Sequence, residues 1–96
     1  MSRREYKQQL RVNNRLITKV IIDDHFELKH SDSISDEIIL RLVATLNERR
    51  FQSVDRDGEF EYFVEDKIDL DGKLYKLIWL LEDDEIYVGV VNAYRR

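Results

Sequence analysis

Between Glu59 and Leu81 the chain alternates with a period of two, and this constrains the fold more than any other feature of the sequence. Phe60, Tyr62, Val64, Ile68 and Leu70 fall on one parity and Glu61, Glu65, Lys67 and Asp69 on the other, the pattern of a strand with one polar face. Asp71-Gly72 follows, and both positions tolerate the positive φ of a type I′ hairpin turn. In the next segment Leu74, Ile78 and Leu80 share one parity and Tyr75, Leu77, Trp79 and Leu81 the other. That strand is apolar on both sides and is expected at the sheet centre. An acidic turn, Glu82-Asp83-Asp84-Glu85, leads to a last apolar strand from Ile86 to Tyr94. Three strands joined by tight turns predict an antiparallel meander.

The N-terminal half reads differently. Residues 3–14 are rich in helix formers, with Asn13-Asn14 as a stop, and predict a short helix. Leu16 to Ile22 is β-branched and predicts a strand, placed at the sheet edge or beside the last strand. His25 to His30 suits a short helix capped by Asp23 or Asp24. A further helix starts at Ser33 or Ser35, carries Asp36 and Glu37 in its first turn, presents Ile38, Ile39, Leu42, Val43 and Leu46 as one stripe, and ends near Arg50. The expected fold class is therefore α+β, an antiparallel sheet of three to four strands with two to three helices packed on one side.

Composition narrows the classes of function. A chain of 96 residues with 43% hydrophobic side chains supports one core, hence one domain, divided into a basic helix or arm over residues 1–15 and a core over 16–96. Without cysteine there is no disulfide, thiolate metal site or thiol nucleophile. No stretch suits a membrane span or a signal core, and the chain reads as cytoplasmic. The net charge of -4 argues against a surface that is basic throughout, but the charge is uneven. Residues 1–22 hold Arg3, Arg4, Lys7, Arg11, Arg15 and Lys19 against Glu5 alone, a balance of +5 that leaves -9 elsewhere. Arg3, Arg4, Lys7, Arg11 and Arg15 are thus candidates for docking on nucleic acid or on a protein partner.

Lys29-His30 followed by Ser33-Ile34-Ser35-Asp36-Glu37-Ile38, and the closing hairpin from Tyr75 to Arg96 with its basic end, resemble the RelE/ParE toxin superfamily and its BrnT-like branch. The resemblance covers roughly residues 16–96 as an order of elements. It implies a small bacterial toxin of a type II toxin-antitoxin system that cleaves RNA, often on the ribosome, and is neutralised by an antitoxin protein. Such a metal-independent ribonuclease needs a base, a cation for the developing phosphorane charge and an acid. His30, Lys29, Arg95 and Arg96 supply those roles if the helix start and the end of the last strand converge, with His25 or Glu27 as a further acid or base. Both histidines equally suit surface positions beside a short helix, and terminal arginines often form a solvated tail.

Asp23, Asp24, His25 and His30 match no standard metal spacing, and neither a metal nor another cofactor is expected. The acidic chain also suits a second class, a non-catalytic regulatory or protein-interaction module that binds through the sheet edge or the basic arm. A third reading is a toxin with a protein target. The partners to consider are an antitoxin, RNA or the ribosome, and a second copy in a homodimer, with no membrane. Phe60, Tyr62, Tyr75, Trp79, Tyr87 and Tyr94 form a base-stacking platform only where several share an exposed face. In a sheet covered on one side most of them pack under helices, and any left together on the far face mark a partner surface.

Overall fold

A computed structural model describes residues 3–23 and 34–96. Six strands form one sheet: β1 (Arg3–Val12), β2 (Arg15–Asp23), β3 (Asp55–Asp57), β4 (Phe60–Leu70), β5 (Lys73–Glu82) and β6 (Tyr87–Arg95), in the order β1-β2-β6-β5-β4-β3. Helix α1 (Asp36–Ala44) lies between β2 and β3 in sequence. Neighbours pair antiparallel except β2 and β6, which run parallel: after α1 the chain enters the far edge at β3, and the antiparallel run β3-β4-β5-β6 returns it to lie beside β2.

The expectation of three to four strands under two to three helices is overturned. The fold is a six-stranded sheet with one short helix among the described residues. Residues 3–12 form an edge strand and not a helix: Tyr6, Leu10 and Val12 alternate with Arg3, Lys7 and Arg11, and burying that even parity outweighs helix propensity. Asn13 and Asn14, at φ 53° and 64°, make the β1–β2 hairpin turn, as Asp71 and Gly72, at 56° and 80°, make the β4–β5 turn. Strand β2 lies beside the last strand, one of the two positions expected for it.

Helix α1 is capped by Ser35, whose hydroxyl accepts the Ile38 amide at 3.3 Å. It ends at Ala44, short of Arg50, where Thr45 turns its hydroxyl onto the Leu42 carbonyl at 2.6 Å and Glu48 adopts φ 62°. The expected helix over residues 25–30 lies outside the described residues.

The core fills the face under α1. Ile39, Leu42, Val43 and Leu46 pack on Val20, Ile22, Val88, Val90, Leu77, Trp79, Leu81 and Phe63. Trp79 stacks on Phe63 at 4.2 Å between centroids and meets Phe51 edge-on at 5.3 Å.

Register shifts in β1, β4 and β6 change which parity faces the core. The bulge at Asp66-Lys67, with Lys67 at φ 58°, puts Phe63 and Ile68 in the core while Phe60, Tyr62 and Val64 face the other way. That corrects the single apolar parity expected for this strand.

Candidate functional site

Strand β1 is an edge strand with two unlike faces. Its odd residues Arg3, Glu5, Lys7, Gln9 and Arg11 are exposed, while Arg4, Tyr6 and Gln8 are half-buried toward α1. Three successive helix-side residues tie the strand to the helix. Arg4 holds Asp36 with Nε at 2.7 Å from Oδ2 and Nη2 at 3.0 Å from Oδ1, the two-pronged geometry that suits guanidinium and carboxylate. The Tyr6 hydroxyl donates to the same carboxylate at 2.5 Å, and Gln8 donates to the Leu40 carbonyl at 3.0 Å. The hydrogen bond to Asp36 raises the Tyr6 pKa above the ordinary phenol value, because an anionic acceptor favours the protonated donor. Between strand and helix runs a groove of about 460 Å³, lined by Tyr6, Gln8, Leu40 and Ala44 together with Asp36, Glu37 and Arg41.

Among the described residues, the outer edge of β1 is closed only at its C-terminal end. There the segment after α1 folds back: the Arg11 amide donates to Asn47 Oδ1 and the Glu48 amide to the Arg11 carbonyl, both at 2.7 Å. Asn13 completes the closure, its amide donating to the Arg49 carbonyl and its side chain clasping the backbone of Phe51 at 2.6 and 3.1 Å. Among the described residues, no backbone pairs with the outer edge of Glu5–Gln9. The other sheet edge, β3, is three residues long, exposed and charged, a form that discourages pairing. The open stretch of β1 therefore sits directly beside the groove.

The basic arm of the sequence is this edge strand. Arg3, Lys7 and Arg11 point away from the helix, with Glu5 paired to Arg3 at 3.0 Å and to Lys19 at 3.7 Å. Arg4 is turned under the helix onto Asp36. Arg15 staples the start of β2 to the end of β5, donating to the Glu82 carbonyl at 2.8 Å. Of the catalytic candidates, His25, Lys29 and His30 lie outside the described residues. Arg95 is exposed opposite Tyr75, and Arg96 pairs with Asp66 at 2.9 Å. Parallel pairing of β2 and β6 carries both arginines toward the end of the sheet where β2 finishes.

The groove lining was missed in the sequence. Its signal was the alternation of Tyr6, Leu10 and Val12 with charges, hidden beneath residues that favour helix. Of the six aromatics singled out, Tyr75 and Trp79 are in the core, whereas Phe60, Tyr62, Tyr87 and Tyr94 are half-buried on the opposite face of the sheet. Among the described residues no three metal-ligating side chains converge, and no helix is long and apolar enough to cross a membrane. No protein-family model, curated protein or solved structure matches the chain.

Proposed function

We propose that the protein is a non-catalytic interaction module that binds an extended segment of a partner protein along the edge of β1. The observation that carries this reading is the open backbone of Glu5–Gln9 beside a groove with apolar walls. Strand addition supplies main-chain hydrogen bonds, and pockets for alternate side chains supply specificity. An added strand sends every second side chain toward the groove, where Tyr6, Leu40 and Ala44 favour apolar groups. The intervening side chains lie beside Lys7, which favours an acidic one, and beside Arg3, which Glu5 already pairs. The fitting ligand is an extended peptide that alternates acidic and apolar residues. The two partner-binding routes raised by the sequence, the sheet edge and the basic arm, thus fall on the same strand.

Calorimetric titration with an eight-residue peptide of alternating glutamate and valine tests the proposal. Binding is expected to weaken on Lys7→Glu and on Leu40→Lys, and to vanish for the same peptide N-methylated along its pairing edge. Equal binding of the methylated peptide, or none of the unmodified one, would refute it. The ribonuclease toxin is a second reading, favoured by one observation: β6 carries Arg95 and Arg96 to the end of the sheet at which α1 begins, where Asp36 meets Arg4 beside Ile22. RNA cleavage on induction in bacteria, lost on His30→Ala together with Arg95→Ala and Arg96→Ala, would favour that reading instead.

A further inference from the structure

Where the chain leaving α1 crosses the end of β1, backbone bonds sew it to the β1–β2 hairpin turn. The Glu48 amide donates to the Arg11 carbonyl at 2.7 Å. The two peptide groups that flank Arg50 are both bound to Asn13: its amide donates to the Arg49 carbonyl at 3.0 Å, and its Oδ1 accepts the Phe51 amide at 2.6 Å. The backbones of Arg11, Arg49 and Arg50 are thereby held side by side. Between these residues lies a hollow of about 60 Å³, lined by the three arginines with Asn14 and Glu48. Glu48 reaches its place at φ 62°, an uncommon conformation for glutamate.

This gathering of positive charge is out of keeping with the rest of the chain, which has 20 acidic side chains against 16 basic ones. Elsewhere Arg3, Arg41, Arg56 and Arg96 each reach a carboxylate. Among the described residues neither Arg11 nor Arg50 does, although both are exposed. Arg49 forms a fixed wall beside them. Its Nη2 donates to Glu65 Oε2 at 2.7 Å, its Nη1 to the Thr45 carbonyl at 3.2 Å, and its guanidinium lies 4.7 Å from the centre of the Phe51 ring. Those bonds use two of the five N–H donors of a guanidinium and leave the others for a ligand.

We propose that this hollow binds the phosphoryl group of a phosphate monoester. Guanidinium forks match the oxygens of phosphate and bind them by charge-assisted hydrogen bonds. The Asn14 side chain adds an uncharged donor. Glu48 opposes the anion, but three positive charges against one negative leave the lining attractive. Size selects the group: a water molecule takes up about 30 Å³ in the liquid, so the space suits one tetrahedral oxyanion and no ring system. All five lining residues are exposed, so the rest of the ester extends into solvent. None of them lies within Glu5–Gln9 or lines the groove beside α1, so this inference stands or falls independently of peptide binding there.

Titration of the full, isotopically labelled chain with inorganic phosphate, followed by NMR at the arginine Nε–H signals and at about 0.15 M ionic strength, tests it. Saturable shifts are expected at Arg11, Arg49 and Arg50, with a Kd below about 1 mM. Arg11→Gln together with Arg50→Gln is expected to weaken binding roughly tenfold or more. Glu48→Gln is expected to strengthen it about threefold by removing the opposing charge. Circular dichroism establishes that each variant is folded, and Leu40→Lys, in the groove, is expected to leave phosphate binding unchanged. Phosphoserine and adenosine 5′-monophosphate tell the two sources of a monoester apart: both are expected to bind at least as tightly as inorganic phosphate, and the tighter identifies the carrier. Binding weaker than about 1 mM, or equal binding by the double arginine variant, would overturn the proposal. So would rejection of both esters by a chain that binds inorganic phosphate.

Discussion

Replacing Trp79 with phenylalanine is expected to cost far less than replacing it with alanine, although the side chain is wholly buried. Alanine removes a ring stacked on Phe63 at 4.2 Å and met edge-on by Phe51. A buried aromatic truncated in this way typically costs about 3–5 kcal/mol, against a total of about 5–15 kcal/mol for a domain. Phenylalanine keeps the stacking ring and loses the volume of two or three carbons, worth about 2 kcal/mol at roughly 0.8 kcal/mol per group. It also removes the indole N–H, which is buried and has no acceptor among the described residues. An unpaired buried donor costs about 1–3 kcal/mol, so the two changes nearly cancel and the net effect should fall within about 1 kcal/mol. Urea unfolding followed by circular dichroism measures both variants; fluorescence does not serve, because Trp79 is the sole tryptophan. If phenylalanine proves as costly as alanine, the indole N–H has a partner and the reasoning fails.

Other outcomes follow from the turns and from one tyrosine. Asn13→Ala is expected to destabilise by about 2 kcal/mol in thermal unfolding, since it loses the two bonds to Phe51 and leaves alanine at a positive φ. Asn14→Gly, at φ 64°, is expected to stabilise by up to about 1 kcal/mol, glycine being the easier occupant of that turn position. Burial, and then the 2.5 Å bond to Glu82, raise the Tyr87 pKa above the usual phenol value. A raised folded value gives stability that is whole below about pH 10, the unfolded pKa, and is lost as pH rises toward the folded one. Urea midpoints measured from pH 9 to 11 should therefore fall less steeply in Tyr87→Phe than in the wild type.

The strands with plain alternation and a marked turn were legible in the sequence. Asp71-Gly72 and the doubly apolar run from Leu74 to Leu81 correctly foretold the β4–β5 hairpin and its central position. Ser35, one of the two expected caps, is the one that starts α1. The failures have a common physical origin, because local propensity and strict parity are both overridden by tertiary contacts. Residues 3–12 favour helix in isolation but become a strand when β2 and α1 offer them a buried face. Bulges shift parity in the middle of a strand, so Val88, Val90 and Ala93 all reach the core from β6, as do Phe63 and Ile68 from β4. Strand β3, three exposed and charged residues, has no apolar pattern to announce it. The site was half legible: the charge asymmetry singled out the N-terminal arm, but the groove depends on where α1 comes to rest, which no local pattern encodes.

The central claim is that the backbone of Glu5–Gln9 accepts another strand. Amide hydrogen exchange, resolved by residue with NMR in the presence and absence of the alternating glutamate-valine peptide, tests it most directly. Peptide is expected to slow exchange at outward-facing amides within Glu5–Gln9 and to leave β3 unchanged. Protection confined to other strands, or none at saturating peptide, would contradict it.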